Sequence, residues 1–226
     1  MTVRRTILQL ATLALAVAAS GAANAQTGTP LPADINASSL ARLPYLQRKD
    51  VTEETGQQVF DIFDRSKGRS PDDSLSGPLA FAMYNPYVAK ALLDLHDGAV
   101  GKGTLDARAR ELAILVACRE TNYDFEWNAH APSALKAGVD QAVIDTVRND
   151  GTLAGMNERD AAVVRFGREL LRNRRMESGT FAKAVELFGE KGAMDLVAVM
   201  STYAVSGFYA IAVDEHMPAG RPTMRK

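Results

Sequence analysis

A run of seven apolar residues, Leu112 to Cys118, limits what this chain can fold into more than any other feature of its sequence. The run lies within a helical pattern from Ala107 to about Thr121, for which Thr104 or Asp106 is the predicted cap. A helix that is apolar on every side must also be buried on every side. We therefore expect other elements of the fold to surround it.

Helical spacing and helix-ending residues recur along the rest of the chain, and no alternating pattern typical of a strand occurs. The sequence therefore predicts an all-α fold. The first predicted helix begins near Asp50. The others span residues 86–97, 124–137, 140–148, 157–173, 180–188 and 193–213.

The last predicted helix contains an uncharged run of 18 residues, Leu196 to Val213. That length is near the minimum for a membrane span. Asp195 and Asp214 flank the run closely, and five hydroxyl or glycine residues interrupt it. We expect a helix buried in a core, or between subunits, rather than a stable membrane insertion.

The first residues have the pattern of a secretory signal peptide. Arg4 and Arg5 precede an apolar stretch, and Ala23-Asn24-Ala25 fits the small-residue cleavage rule. We expect a signal peptide at 1–25, a flexible leader at 26–44 and a helical domain at 45–226. This predicts a periplasmic or secreted protein and leaves open whether export uses the general or the twin-arginine route.

Composition excludes several classes of protein. The 226 residues carry a formal net charge of −1 and show no basic stripe, so we expect no nucleic-acid partner. The single cysteine, Cys118, excludes an intramolecular disulfide and a multi-cysteine metal site. Within the apolar run it is typical of a buried structural residue.

Glu111, Glu126 and His130 are the candidate catalytic residues. Glu126 and His130 are four residues apart and share one helix face, so carboxylate and imidazole can meet and exchange protons near neutral pH. Glu111 directly precedes the apolar run, where a carboxylate needs a partner. Two candidate partners of Glu111 are Arg108, three residues earlier on the same helix, and His130, on the next helix. The spacing also fits an ordinary polar pair on a solvated face, or two carboxylates and an imidazole that bind a divalent metal.

Three stretches of the sequence resemble the carboxymuconolactone decarboxylase family. They are Arg108-Ala-Arg-Glu111-Leu-Ala-Ile-Leu115, Glu126-Trp127-Asn-Ala-His130 and Ala134-Leu-Lys-Ala-Gly138-Val139. The likeness covers roughly residues 75–215. It implies an alkylhydroperoxidase D-like bundle built on a helical hairpin and assembled as homo-oligomers, usually trimers or hexamers.

One branch of that family reduces peroxides with a Cys-x-x-Cys pair, relayed by a glutamate and a histidine. If His130 matches that histidine, Tyr123 and Glu126 stand where the two cysteines belong, and Glu111 stands at the relay glutamate. The dithiol is absent, which disfavours peroxidase activity by that route.

The other branch, which includes the decarboxylase, works without a cofactor on lactones that bear a carboxylate. By this resemblance we expect an enzyme that decarboxylates, isomerises or hydrolyses a small carboxylated lactone or related acid. The decarboxylase itself is intracellular, whereas the predicted signal peptide of this chain implies export and therefore a different substrate. His130 is the predicted acid/base, Glu126 orients it and Glu111 sets its charge. Tyr123 and Trp127 are predicted to contact the substrate. A non-catalytic oligomer that binds a small molecule between helices is the remaining alternative.

Overall fold

The computed structural model describes residues 31–67 and 75–224. Over these residues the fold is all-α, as predicted, and its only extended pairing is a single bridge between Asn36 and Ala41. The predicted signal peptide, residues 1–25, and the first part of the predicted leader lie outside the described residues.

Eight α-helices occur in the described part of the chain, with a short 3-10 turn at Arg48–Asp50 before them. Two helices, α3 and α7, continue into π-helical turns at Asp97–Gly101 and Arg168–Asn173. The helices are α1 Glu54–Lys67, α2 Pro78–Ala82, α3 Pro86–His96, α4 Ala107–Glu120, α5 Asp124–Lys136, α6 Gln141–Arg148, α7 Glu158–Gly167 and α8 Ser178–Ala212.

Side-chain caps fix where several of these helices begin. The carboxylate of Asp106 accepts a hydrogen bond from the backbone N–H of Ala109 at the start of α4. Asn157 caps α7 in the same way. At α3, Asn85 is the cap and Pro86 is the first helical residue, where its missing N–H costs nothing. These starts agree with the sequence pattern because the capping residues act locally.

Helix α4 lies at the centre of the fold and contacts α5, α6, α7 and α8. Every side chain from Leu112 to Cys118 is at most 1% exposed, as the all-round apolar pattern predicts. Complete burial of one leucine or isoleucine contributes about 2–3 kcal/mol to folding. This run therefore anchors the main hydrophobic core.

Helix α8 breaks at Gly189, whose φ of 73° is left-handed and does not continue a helix. The break falls between the two helices predicted from the sequence. By length and composition α8 is able to cross a membrane, but 44% of its most apolar window is buried inside the fold. Its contacts with α2, α4 and α7 account for its apolar composition.

The segment predicted as a flexible leader contacts the fold in its second half. Ala41 is fully buried, and the backbone N–H of Arg42 donates to the carbonyl of Val213 at 2.7 Å. The N–H of His216 donates to the carbonyl of Leu40 at 2.8 Å. The packed part of the chain thus begins before residue 45. These contacts are backbone hydrogen bonds to a distant segment, so they leave no periodic pattern in the sequence.

Gly207 allows α8 to approach the end of α4. A Cβ atom added at Gly207 would overlap the side chain of Thr121, whose hydroxyl already donates to the carbonyl of Ala117 at 2.8 Å. Tyr203 lies one helical turn before Gly207, on the same face of α8. The close approach therefore also sets how near Tyr203 comes to α4 and its neighbours.

We predict that Gly207→Ala destabilises the protein by about 1–3 kcal/mol, because an added methyl group overpacks this contact. Gly179→Ala is the matched control, since an added Cβ there meets nothing within 4 Å. The control should be neutral or slightly stabilising, as alanine favours helix. Urea denaturation of both variants measures the difference. Equal stability of Gly207→Ala and the wild type would contradict the close approach.

Candidate active site

The hairpin formed by α4 and α5 brings the candidate residues together. The chain turns at Asn122, whose φ of 49° is left-handed, and the N–H of Tyr123 donates to the carbonyl of Cys118 at 2.8 Å. Asparagine tolerates this conformation better than most residues. Across the hairpin, Glu111 on α4 then faces His130 on α5.

His130 contacts two carboxylates, one at each ring nitrogen. Its Nδ1 lies 2.8 Å from Oε2 of Glu111, and its Nε2 lies 3.2 Å from Oε2 of Glu126. The exposed fraction of the side chain is 20% for His130, 12% for Glu111 and 18% for Glu126. The structure thus brings together all three predicted catalytic residues at the margin of the core.

The two carboxylates determine the charge of His130. Burial alone would lower the pKa of the imidazole, but hydrogen bonds to Glu111 and Glu126 outweigh it and raise the pKa from 6.5 to about 9. At neutral pH both ring nitrogens therefore carry protons. His130 is then an imidazolium that can act as a general acid.

Tyr203 of α8 completes the surroundings of His130. Its hydroxyl lies 3.1 Å from Nε2 of His130 and 3.4 Å from Nε2 of His96. The rings of Tyr203 and His130 make an edge-on contact with centroids 5.0 Å apart. Burial raises the pKa of Tyr203, which keeps the hydroxyl protonated. The only sequence signal for this residue was a hydroxyl within an otherwise apolar helix.

An open cleft of about 310 Å³ borders the site. Glu111 is the one member of the carboxylate–imidazole group that lines it, and Lys136, on the last turn of α5, brings an amine to the same wall. The lining residues are Ala107, Glu111, Ser133, Lys136 and Ala137. Sequence reasoning missed Ser133 and Lys136, although they lie three and six residues after His130 on the same helix.

The two residues predicted to contact substrate are buried beside the site. Tyr123 is 2% and Trp127 is 3% exposed, and neither lines the cleft. The hydroxyl of Tyr123 is buried without a hydrogen-bond partner in the described part of the chain. Their contact with a substrate stays a prediction.

Arg108, a predicted partner of Glu111, is not its partner in the structure. The guanidinium instead donates to Asp160 at 2.6 and 3.1 Å and to Asp140 at 3.1 Å. The side chain of Asp160 is only 3% exposed, and a buried carboxylate attracts the nearest cation. Arg108 therefore does not pair with Glu111, whose carboxylate contacts His130 instead.

The part of the chain that the structure describes contains neither a reactive thiol nor a metal cluster. Cys118 is fully buried, and desolvation raises the pKa of its thiol well above the ordinary value, so the nucleophilic thiolate is disfavoured. Among the described residues no group of three or more His, Cys, Asp or Glu side chains is placed to hold a metal ion.

Comparisons with known proteins identify the fold. Residues 86–169 match the Carboxymuconolactone decarboxylase family. The fold is similar to that of a Cys-to-Ala variant of the debrominase Bmp8 in complex with 2,3,4-tribromopyrrole. The two sequences are 15% identical, the TM-score is 0.59, and the match covers 77% of this chain and 90% of that chain. Ligand-free Bmp8 is 18% identical with a TM-score of 0.56, over 77% and 91%. No curated protein matches the sequence.

We predict that Glu111→Gln lowers the pKa of His130 by about one unit or more, because it removes one of the two charges that stabilise the imidazolium. NMR titration of the His130 ring protons measures the change. The control is Glu190→Gln, since Glu190 is exposed and is not among the residues that set the pKa of His130. A wild-type value near 6.5, or an unchanged value in Glu111→Gln, would contradict the account of the site.

Proposed function

We propose, from the match of residues 86–169 to the carboxymuconolactone decarboxylase family, that this chain is an exported acid/base enzyme that needs no cofactor. Its substrate would be a small carboxylated lactone or a related acid. The reaction is a decarboxylation, isomerisation or hydrolysis in which His130 provides and recovers a proton. Release after cleavage behind Ala25 and assembly into a homo-oligomer belong to the same proposal.

The observation that carries the proposal is the contact between His130 and Glu111 beside an open cleft. Nδ1 of the charged His130 lies 2.8 Å from the carboxylate of Glu111, and Glu111 itself lines the cleft. A proton held on Nδ1 of His130 can therefore reach the cleft through Glu111. The sequence assigned Glu111 only to setting the charge of His130, and its position in the cleft wall supports this second role.

For a decarboxylation the proton balance is simple. The bond between the ring system and the departing carboxylate breaks, carbon dioxide leaves, and the electron pair moves through the unsaturated lactone to a remote carbon. Nδ1–H of His130 passes its proton to Glu111, and the resulting carboxyl group protonates that carbon. His130 is left neutral, and Glu111 returns to a carboxylate.

Lys136 and Ser133 support a carboxylated substrate. The ammonium group and the hydroxyl belong to the same cleft wall as Glu111, so an acid bound to Lys136 has its reactive carbon near the proton donor. A cleft of about 310 Å³ is at the small end of the range for ligand pockets, which favours a compact molecule.

Thiol peroxidase activity has little support. The resemblance to the peroxide-reducing branch needs cysteines where Tyr123 and Glu126 stand. Cys118, the single cysteine, is fully buried. It has no second thiol to resolve an oxidised intermediate.

Turnover of carboxymuconolactone and a panel of related lactone acids, followed by NMR, tests the proposal. We expect His130→Ala to lower kcat by about 10²–10⁴-fold, the usual contribution of a general acid. Lys136→Met should raise KM with a smaller effect on kcat, because it removes binding that substrate and transition state share.

His216→Ala is the matched control, because it removes a histidine that contacts Asp214 and lies outside the site. Its activity should equal that of the wild type. Equal activity of His130→Ala and the wild type on a turned-over substrate would refute the acid/base role. Turnover of none of the acids would refute the proposed substrate class.

A further inference from the structure

In the described part of the chain, the polar groups at the two ring nitrogens of His130 are unequal in number. Nδ1 faces one acceptor, the carboxylate of Glu111 at 2.8 Å. Nε2 faces two, the carboxylate of Glu126 at 3.2 Å and the hydroxyl of Tyr203 at 3.1 Å. We infer that Tyr203 holds the proton on Nε2 and so makes Nδ1 the nitrogen from which His130 gives a proton to Glu111. The inference rests on the proposed function, in which His130 loses a proton in each turnover.

The two carboxylates oppose each other in the choice of nitrogen. Each is a charged acceptor, and they lie at opposite nitrogens of the same ring. A neutral imidazole carries one proton, and the hydrogen bonds of its two nitrogens determine which of them holds it. The hydroxyl of Tyr203 is the third acceptor, and it adds to the Nε2 side. Tyr203 is therefore a positioning residue that acts through the proton on His130.

His96 sets the direction in which the Tyr203 hydroxyl points. A hydroxyl has one hydrogen to donate and two lone pairs that accept. Nε2–H of the charged His130 donates to the hydroxyl oxygen, so the hydroxyl hydrogen is left for Nε2 of His96, which lies 3.4 Å away at the exposed end of α3. Burial first, and then the nearby Glu126, raise the pKa of Tyr203, so the hydroxyl keeps its hydrogen.

The choice of nitrogen matters because Nδ1 is the one that faces a residue of the cleft wall. The Nδ1 proton passes to Glu111 and from there to the substrate carbon, and His130 is left neutral with its one proton on Nε2. After the product leaves, solvent in the cleft protonates Glu111, which returns the proton to the lone pair on Nδ1. One solvent proton is consumed in each turnover, and Nε2 keeps its proton throughout. A neutral ring protonated on Nδ1 instead has no lone pair there to take the proton back.

The ¹⁵N chemical shifts of the two ring nitrogens of His130, measured by NMR on protein with labelled histidine, test the inference without a substrate. They distinguish the neutral ring protonated at Nε2 from the one protonated at Nδ1, and they are read above the pKa of about 9, where His130 is neutral. The Nε2–H form should predominate in the wild type. Tyr203→Phe keeps the ring that contacts His130 edge-on and removes the hydroxyl. It should lower the ratio of Nε2–H to Nδ1–H by about threefold to tenfold, the usual effect of one hydrogen bond.

Two further variants and a control make the test specific. His96→Ala lets the Tyr203 hydroxyl turn its hydrogen toward Nε2 of the neutral ring, so it should lower the same ratio. Glu111→Gln removes the charged acceptor at Nδ1, so it should raise the ratio. His216→Ala removes a histidine that contacts Asp214, and its ratio should equal that of the wild type.

A wild-type ring protonated mainly at Nδ1 would overturn the inference. So would an unchanged ratio in Tyr203→Phe, with folding confirmed by thermal unfolding, because that is the result expected if Tyr203 only fills space. If Tyr203→Phe does not fold, the ratio in His96→Ala decides, and an unchanged value there would overturn the inference. The proposed function fails separately, by absence of turnover, since the ratio is measured on the protein alone.

Discussion

The hydrogen bond between Glu111 and His130 across the α4–α5 hairpin is the interaction on which the site depends. It exists because Asn122 reverses the chain and because the buried run of α4 holds that helix in the middle of the core. The bond also requires that Arg108 be occupied elsewhere, which Asp160 and Asp140 achieve. Loss of this hydrogen bond would lower the pKa of His130, because Glu111 is one of the two carboxylates that raise it.

Burial and charge act on His130 in opposite directions, and their balance sets the charge of the imidazole. Removal of water lowers the pKa of the imidazole, and the two carboxylates raise it by more. The difference between 6.5 and about 9 corresponds to about 3 kcal/mol in favour of the protonated form. A site at the margin of the core keeps this charge and still borders a cleft that a substrate can enter.

Local signals allowed the sequence to predict much of this structure. The cap at Asp106, the helix start at residue 157 and the spacing of Glu126 and His130 all act over a few residues, and all are found as expected. The helix predicted at residues 124–137 is α5, and its first residue, Asp124, accepts hydrogen bonds from Thr223 and Met224 at the far end of the chain.

What the sequence could not predict depends on distant segments. Tyr203 is 73 residues from His130 in sequence and is next to it only because α8 packs on the hairpin. Asp160, the buried carboxylate that binds Arg108, is 52 residues away, on α7. The cleft that includes Lys136 likewise exists only after α4 and α5 have packed. Helical spacing carries no information about such contacts.

The central claim is that the charged form of His130 does the chemistry. The most direct test records kcat against pH and follows the ring protons of His130 by NMR in the same buffers. A general acid with a raised pKa is active below that pKa, so kcat should hold through neutral pH and fall as pH rises through about 9, together with the charge of His130. A kcat that stays constant or rises while His130 loses its proton would contradict the claim.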